Sequence, residues 1–295
     1  MKNKKILKLS ISIIVLSMLL SLGLLYKLRL DKPVFIPAYS EIGIEDTDKN
    51  NTSLGINLNI KYISNRDDKR NIVKMDIDEL SETGLKIEEN NKDFDEINCH
   101  ENYIDDYCNY SVHSVNFSCS NLKFEEGKDV ASLSKATVVF NDGTKQKVDL
   151  GKIILYKGNY RTVGVDRIDS STRENGIEYN FYVDENVKID KVESYLIDKV
   201  PDIFDYKIQV SPLDNAVYEN YSKGTVINKK SIIKLSVNKK ESDDIIEEYT
   251  TYNINPKIHF VNDLNDKYSV SCNGDMYSNY SFLGICKYLN ARGEI

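Results

Sequence analysis

Tryptophan is missing altogether from this sequence, histidine occurs three times, and only seven of the 39 basic residues are arginine. Each shortage removes a class of function. Without tryptophan the chain lacks the ring on which carbohydrate platforms lean most. The three histidines, His100, His113 and His259, form no His-Glu-x-x-His motif. Neither a Gly-x-Ser-x-Gly elbow nor a phosphate-binding glycine loop is present, so the commonest hydrolase and nucleotide signatures are missing. Positive charge is also short. Residues 1–32 hold seven basic and one acidic side chain, so the remainder carries 32 basic against 45 acidic residues, a net charge of −13. Such a surface repels polyanions and excludes nucleic acid as a partner.

Long apolar runs are equally scarce, with one exception. The eighteen residues Leu9–Tyr26 carry no formal charge and follow Lys2, Lys4, Lys5 and Lys8. As a helix they extend about 27 Å, close to the roughly 30 Å of a bilayer core. Lysines ahead of the run favour a cytoplasmic N-terminus, with the rest of the chain outside. The expected organisation is a cytoplasmic N-terminus (1–8), a transmembrane anchor (9–26) and a stalk (27–40) interrupted by Pro33 and Pro37. The alternative is secretion after signal-peptide cleavage, for which Ser21 and Gly23 have suitable spacing. Continuation of the run through Leu24, Leu25 and Tyr26 argues for the uncleaved anchor. No cysteine follows the span to take a lipid, and no Leu-Pro-x-Thr-Gly sorting signal is present. Abundant Lys, Asn and Ile beside few Arg indicate an AT-rich bacterial genome of the low-GC Gram-positive kind.

The remaining residues read as all-β. Runs of strand character recur between turn signals at Leu54–Ile63, Ile72–Ile77, Tyr110–Cys119, Ala136–Phe140, Lys147–Tyr156, Ile177–Val183, Tyr206–Val210, Ser231–Val237 and Lys257–Val261. Between the fourth and fifth, Asn141-Asp142-Gly143-Thr144 predicts a tight hairpin with positive φ at Asp-Gly. A weak echo relates Gly127–Leu155 to Gly224–Phe260. It places a domain join near Lys157-Gly158-Asn159-Tyr160 and suggests two tandem β-sandwich domains, 41–157 and 158–295. This architecture is similar to that of Gram-positive surface proteins with tandem immunoglobulin-like modules, although no diagnostic motif is present. Glu88–Glu96 and Lys239–Glu248 read as charged loops, the second with a helical turn at Ile245 and Ile246, and Val187–Val200 is ambiguous between strand and helix.

Five cysteines in an exported chain raise the question of disulfides. Cys272 and Cys286 stand apart and close a loop of about fifteen residues, worth roughly 3 kcal/mol, so they form the expected pair. Pairing among Cys99, Cys108 and Cys119 stays open. With His100 and His113 these three also invite a zinc reading, but their intervals are longer than those of zinc knuckles. Ser132-Leu133-Ser134-Lys135 matches the Ser-x-x-Lys of penicillin-interacting enzymes, yet it leads into a strand where that nucleophile opens a helix. The pairs Asp105-Asp106, Asp243-Asp244 and Glu247-Glu248 read as solvated surface, and Asp263, Asn265, Asp266 and Asp275 as a loose calcium possibility without EF-hand spacing. Among twenty tyrosines, Tyr277 and Tyr280 are candidates for exposed contact residues.

The expectation is therefore a membrane-anchored extracytoplasmic binding or structural protein of a bacterial envelope. It would act through protein contacts, with an envelope or membrane protein as partner, and without catalytic residues, cofactor or metal. The competing expectation is an envelope hydrolase with a site assembled from scattered carboxylates or from Ser132 and Lys135.

Overall fold

A computed structural model describes residues 2–45, 56–77, 85–87, 98–119, 122–158, 164–173, 175–197, 203–214, 217–276 and 278–295. In chain order the first half contains α1 (Lys2–Lys27), β1 (Val34–Ile36), β2 (Ala38–Glu45), β3 (Ile56–Asn65), β4 (Ile72–Ile77), β5 (Leu85–Ile87), β6 (Asn98–Tyr107), β7 (Tyr110–Cys119), β8 (Leu122–Phe124), β9 (Val130–Phe140) and β10 (Lys145–Gly158). The second half contains β11 (Val165–Arg173), β12 (Gly176–Val183), β13 (Val187–Glu193), β14 (Phe204–Pro212), β15 (Glu219–Asn220), β16 (Ser231–Lys239), α2 (Ile245–Tyr249), β17 (Thr251–Ile254), β18 (Lys257–Asn262), β19 (Lys267–Ser271), β20 (Gly274–Met276) and α3 (Phe282–Ala291). Among the described residues all nine strand runs expected from the sequence fall on strands, the first from Ile56 onward because residues 54–55 lie outside them.

Alternation builds the first core. In β3, Ile56, Leu58, Ile60 and Tyr62 point one way and are buried, while Asn57 and Asn59 point the other way and are exposed. The sheet β1-β3-β7-β6 thereby packs its apolar face on the sheet β20-β17-β2-β10-β9-β4. A second core lies between β11-β12-β16-β14-β15, β13-β18-β19 and the end of the six-stranded sheet formed by β17 and β20. Ile153 and Leu155 of β10 face the first core while Ile154 faces the second. This explains the unbroken apolar run Ile153-Ile154-Leu155-Tyr156, since a strand covered on both faces does not alternate.

The two halves are consequently not separate along the chain. β2 lies between β10 and β17, parallel to both, with Ala38 opposite Gly151 on one side and Thr251 on the other. The expected division into 41–157 and 158–295 is crossed by β17 and β20, which complete a sheet begun by the first half. The echo between Gly127–Leu155 and Gly224–Phe260 also fails structurally. β9 and β10 form a hairpin, whereas β16 pairs with β12 and β14 and never with β18.

The expected stalk over 27–40 is corrected as well. Leu30, Val34, Phe35, Ile36 and Ala38 are buried, and β1 pairs antiparallel with β3. Pro33 and Pro37 bracket an edge strand, a place in a sheet where missing N–H donors are tolerated, and Pro37 marks where the chain passes from one sheet to the other. The hairpin turn after β9 has a positive φ at Gly143 alone. Gly143 N donates to Phe140 O and Phe140 N to Thr144 O, while Asp142 accepts from the backbone and hydroxyl of Thr144. It is a three-residue loop with a left-handed glycine rather than a two-residue turn.

Helix α1 carries the uncharged run. Its apolar side chains from Leu9 to Leu20 are each 49–63% exposed and lie on every side of the helix. Among the described residues no helix is long and apolar enough to cross a membrane. The continuous part of α1 with described side chains, residues 8–21, spans roughly 21 Å. The span expected over Leu9–Tyr26 thus rests on the sequence and not on the structure. The charged stretch Glu88–Glu96 lies outside the described residues.

Candidate functional site

The outer face of β3 and β7 changes character along its length. At one end Ile63, Tyr110 and Val112, with Leu30 and Val34, are covered by Tyr249 of α2 and by Ile285, Tyr288 and Leu289 of α3. Those α3 positions repeat at the three- and four-residue spacing of one helix face. Ser281 caps α3 by accepting from Gly284 N, and Asp244 caps α2 by accepting from Ile246 N. At the other end the same face is a bare polar ladder. Asn59 Nδ2 donates to Ser114 Oγ at 3.0 Å and to Asn116 Oδ1 at 2.7 Å, and Ser118 Oγ donates to Asn57 Oδ1 at 2.7 Å.

Lys61 stands at the boundary between the covered and bare regions. It lines a depression of about 390 Å³ shared with Asp105, Tyr107, His113, Asn279 and Tyr280. It also lines a smaller one of about 140 Å³ that reaches Ser40, Asn57, Thr251, Asn253 and Asp275 between the two sheets. A third depression of about 280 Å³ continues past Ser278 and Asn279 to Lys239 and Glu248. Together they make a groove where the two cores meet.

Electrostatics in the groove are set by burial. Lys61 Nζ lies 5.7 Å from the centre of the Tyr280 ring, and no ion pair or hydrogen bond closes on it among the described residues. Loss of water lowers its pKa, with Asp275 opposing the shift. Asp275 is itself exposed in β20, and the partial loss of water beside the groove walls pushes its carboxyl up while Lys61 and Asn253 hold it back. Burial also raises the Tyr280 phenol. Of the buried oxygens here, Asn253 Oδ1 lacks a hydrogen-bond partner among the described residues, whereas Thr251 Oγ1 and the Tyr280 hydroxyl face each other, Thr251 lowering the Tyr280 pKa against the larger effect of burial. Unsatisfied buried oxygens cost about 1–3 kcal/mol each and occur at few positions in a fold, often functional ones.

The residues singled out from the sequence fall elsewhere or into structural roles. Ser132 is exposed within β9 opposite Ile154, and Lys135 stands opposite Asp149, so no helix N-terminus activates the serine. Asp105 accepts from the Tyr107 hydroxyl, and Asp106 accepts from Ser111 and pairs with Arg66. Asp244 is a helix cap, and Glu247 and Glu248 belong to α2. Asn262 Oδ1 accepts from Leu264 N and Asp266 N, which makes Asp263–Asp266 a hairpin turn, while Asp275 lies in β20. The four calcium candidates are not brought together. His113 bonds Ser64 Oγ at 2.8 Å and stacks on Tyr62, and Cys108 sits at the far tip of the β6–β7 hairpin from Cys119. The side chains of Cys99, His100 and Cys119 and all of Tyr277 lie outside the described residues. Among those described, no group of histidine, cysteine and carboxylate side chains is placed to hold a metal. Tyr280, expected to be exposed, is largely enclosed.

The expected disulfide is also corrected. Cys272 and Cys286 are both free thiols. Cys272 is fully buried in the second core, while Cys286 lies on α3 beside the helix-covered end of β3 and β7. Short separation in sequence favours loop closure in the unfolded chain but does not set the folded geometry. The groove itself was not legible, because Lys61 and Asp275 are brought together by the return of β17 and β20 to the first sheet.

No protein-family model matches the chain, and no curated protein is similar to it. Among solved structures, the Enterococcus faecalis MSCRAMM ACE, which binds its ligands by the collagen Hug model, aligns at 10% identity with a TM-score of 0.26. The alignment covers 86% of this chain and 96% of that one. The fibronectin(III)-like modules of Clostridium thermocellum CbhA align at 11% identity with a TM-score of 0.19, covering 85% and 93%. Likenesses of this size carry no argument about function.

Proposed function

We propose that this chain is a binding module of a bacterial envelope, tethered by α1 and engaging a protein partner through the groove around Lys61. The observation that carries the reading is the combination, among the described residues, of an ammonium without an ion pair and a buried Asn253 oxygen without a hydrogen bond in one groove. Donors at Lys61 and Thr251 beside acceptors at Asn253 and Asp275 match a polar protein segment better than an apolar ligand. An exposed, all-round apolar helix in water is unfavourable by the area it leaves wet, and a bilayer supplies the missing environment. A partner engaged by a groove tethered through α1 is then in or near the membrane.

Cross-linking and co-purification from intact membranes tests the proposal, with Lys61→Met as the comparison because it keeps the stem and removes the charge. The expected result is a discrete partner whose yield falls about tenfold in the variant at equal protein abundance, equivalent to about 1.4 kcal/mol. Undiminished capture by Lys61→Met would place the binding surface elsewhere.

A further inference from the structure

Cys108 and Cys286 are 178 residues apart in sequence, yet the segments that carry them pack against each other. Cys108 occupies the tip of the β6–β7 hairpin, exposed, with φ at +57°. Tyr107, just before it, and Tyr110, two residues after it, contact the C-terminal segment. The Tyr107 ring lies 6.3 Å from Tyr280 edge-on, and the Tyr110 ring lies 6.2 Å from Phe282 in a stack. Cys286 follows Phe282 by one helical turn and so shares its face of α3, where it packs in the same cluster as Tyr107 and Tyr110. The geometry points to Cys108 and Cys286 as a disulfide-forming pair that fastens the C-terminal helix to the β6–β7 hairpin. Their mutual electrostatic influence agrees, since the Cys108 thiol contributes to raising that of Cys286, after burial. The third described cysteine, Cys272, is sealed in the second core and has no access to reagent.

The chemistry needs an external disulfide as oxidant, of the kind an exported protein meets. The exposed Cys108 thiolate attacks one sulfur of oxidised glutathione, forming a mixed disulfide and releasing one glutathione thiolate. Cys286 then loses its proton and attacks the Cys108 sulfur, and the second glutathione leaves. The protein gives up two electrons and two protons, and two glutathione thiols are gained. Because the raised Cys286 thiol must ionise in the second step, closure accelerates with rising pH.

The bond bears on the groove, because Tyr107 and Tyr280 are two of its walls. Fastening the hairpin to α3 fixes the spacing of those walls.

The test uses the full chain in detergent, reduced and then exposed to oxidised glutathione, followed by alkylation and non-reducing peptide mapping. A linked Cys108–Cys286 peptide, two hydrogens lighter than the pair of thiols, is expected, with a thermal midpoint raised by about 5 °C or more. Cys108→Asn, which suits the left-handed backbone at an exposed turn, should fold normally and abolish both effects. Glutathione left on Cys108 with Cys286 still alkylatable, or a linkage between two chains through Cys108, would overturn the pairing. So would a midpoint that rises equally in Cys108→Asn.

Discussion

Glu41 shows how much one side chain contributes to this fold. It is 1% exposed, yet its carboxylate accepts from Ser194 Oγ at 2.5 Å, from Leu196 N and from Asn255 N at 2.9 Å. A strand of the first sheet is thereby bound to two segments of the second half. Burial outweighs these bonds and raises its pKa above 4.5. A raised folded-state value means that the folded chain holds the proton more tightly than the unfolded one. Its contribution to stability is therefore complete below pH 4.5 and declines as pH rises through the folded-state value. Chemical denaturation between pH 4.5 and 7 should show this decline, and Glu41→Gln should flatten it. The amide would also set an N–H against that of Asn255, costing about 1–3 kcal/mol at pH 4.5. An unchanged pH slope in the variant would assign the effect to another group. None of this was legible in the sequence, where Glu41 is one of 46 acidic residues. The tyrosines were easier to read: Tyr62, Tyr110, Tyr156, Tyr179, Tyr249, Tyr252 and Tyr288 are among the largest fully buried side chains.

At the scale of elements, legibility followed the burial pattern. Strands with one wet face, such as β12 and β16, announce themselves by alternation. β11 does not, because only Val165 is buried among its nine residues and the rest, Ile168 included, is exposed edge. β1 was hidden by its flanking prolines, and β17 and β20 are too short to show a period. The ambiguity of Val187–Val200 resolves into β13 followed by a turn at Tyr195–Ile197. Helix α1 carries its own prediction. In intact cells, protease added outside at a dose far above the one the folded body withstands should remove the region beyond Lys32, while the protein sediments with membranes before treatment. Recovery of a soluble species beginning near Leu24 would refute the tether in favour of cleavage and secretion.

For the molecule as a whole, the six-stranded sheet makes the two cores one cooperative body. Residues 27–158 alone would lack β17, β20 and both C-terminal helices, leaving the outer edge of β2 and the apolar patch at Tyr110 and Val112 uncovered. That fragment should be insoluble or digested at once, whereas residues 27–295 should resist protease and melt in a single transition. A fragment that melts cooperatively near the midpoint of the longer chain would show the first half to be self-sufficient.

The position of β2 also bears on the order of events as the chain is made. It emerges early, yet its two neighbours lie more than 100 and more than 200 residues further along. Loops of that length close slowly, and until they close the strand presents unpaired backbone on both edges. A newly made chain must keep that hazard solvated or shielded until Thr251–Ile254 is free to pair. A premature stop upstream of Thr251 would then do more than delete a terminus: it would convert the product into a seed for aggregation.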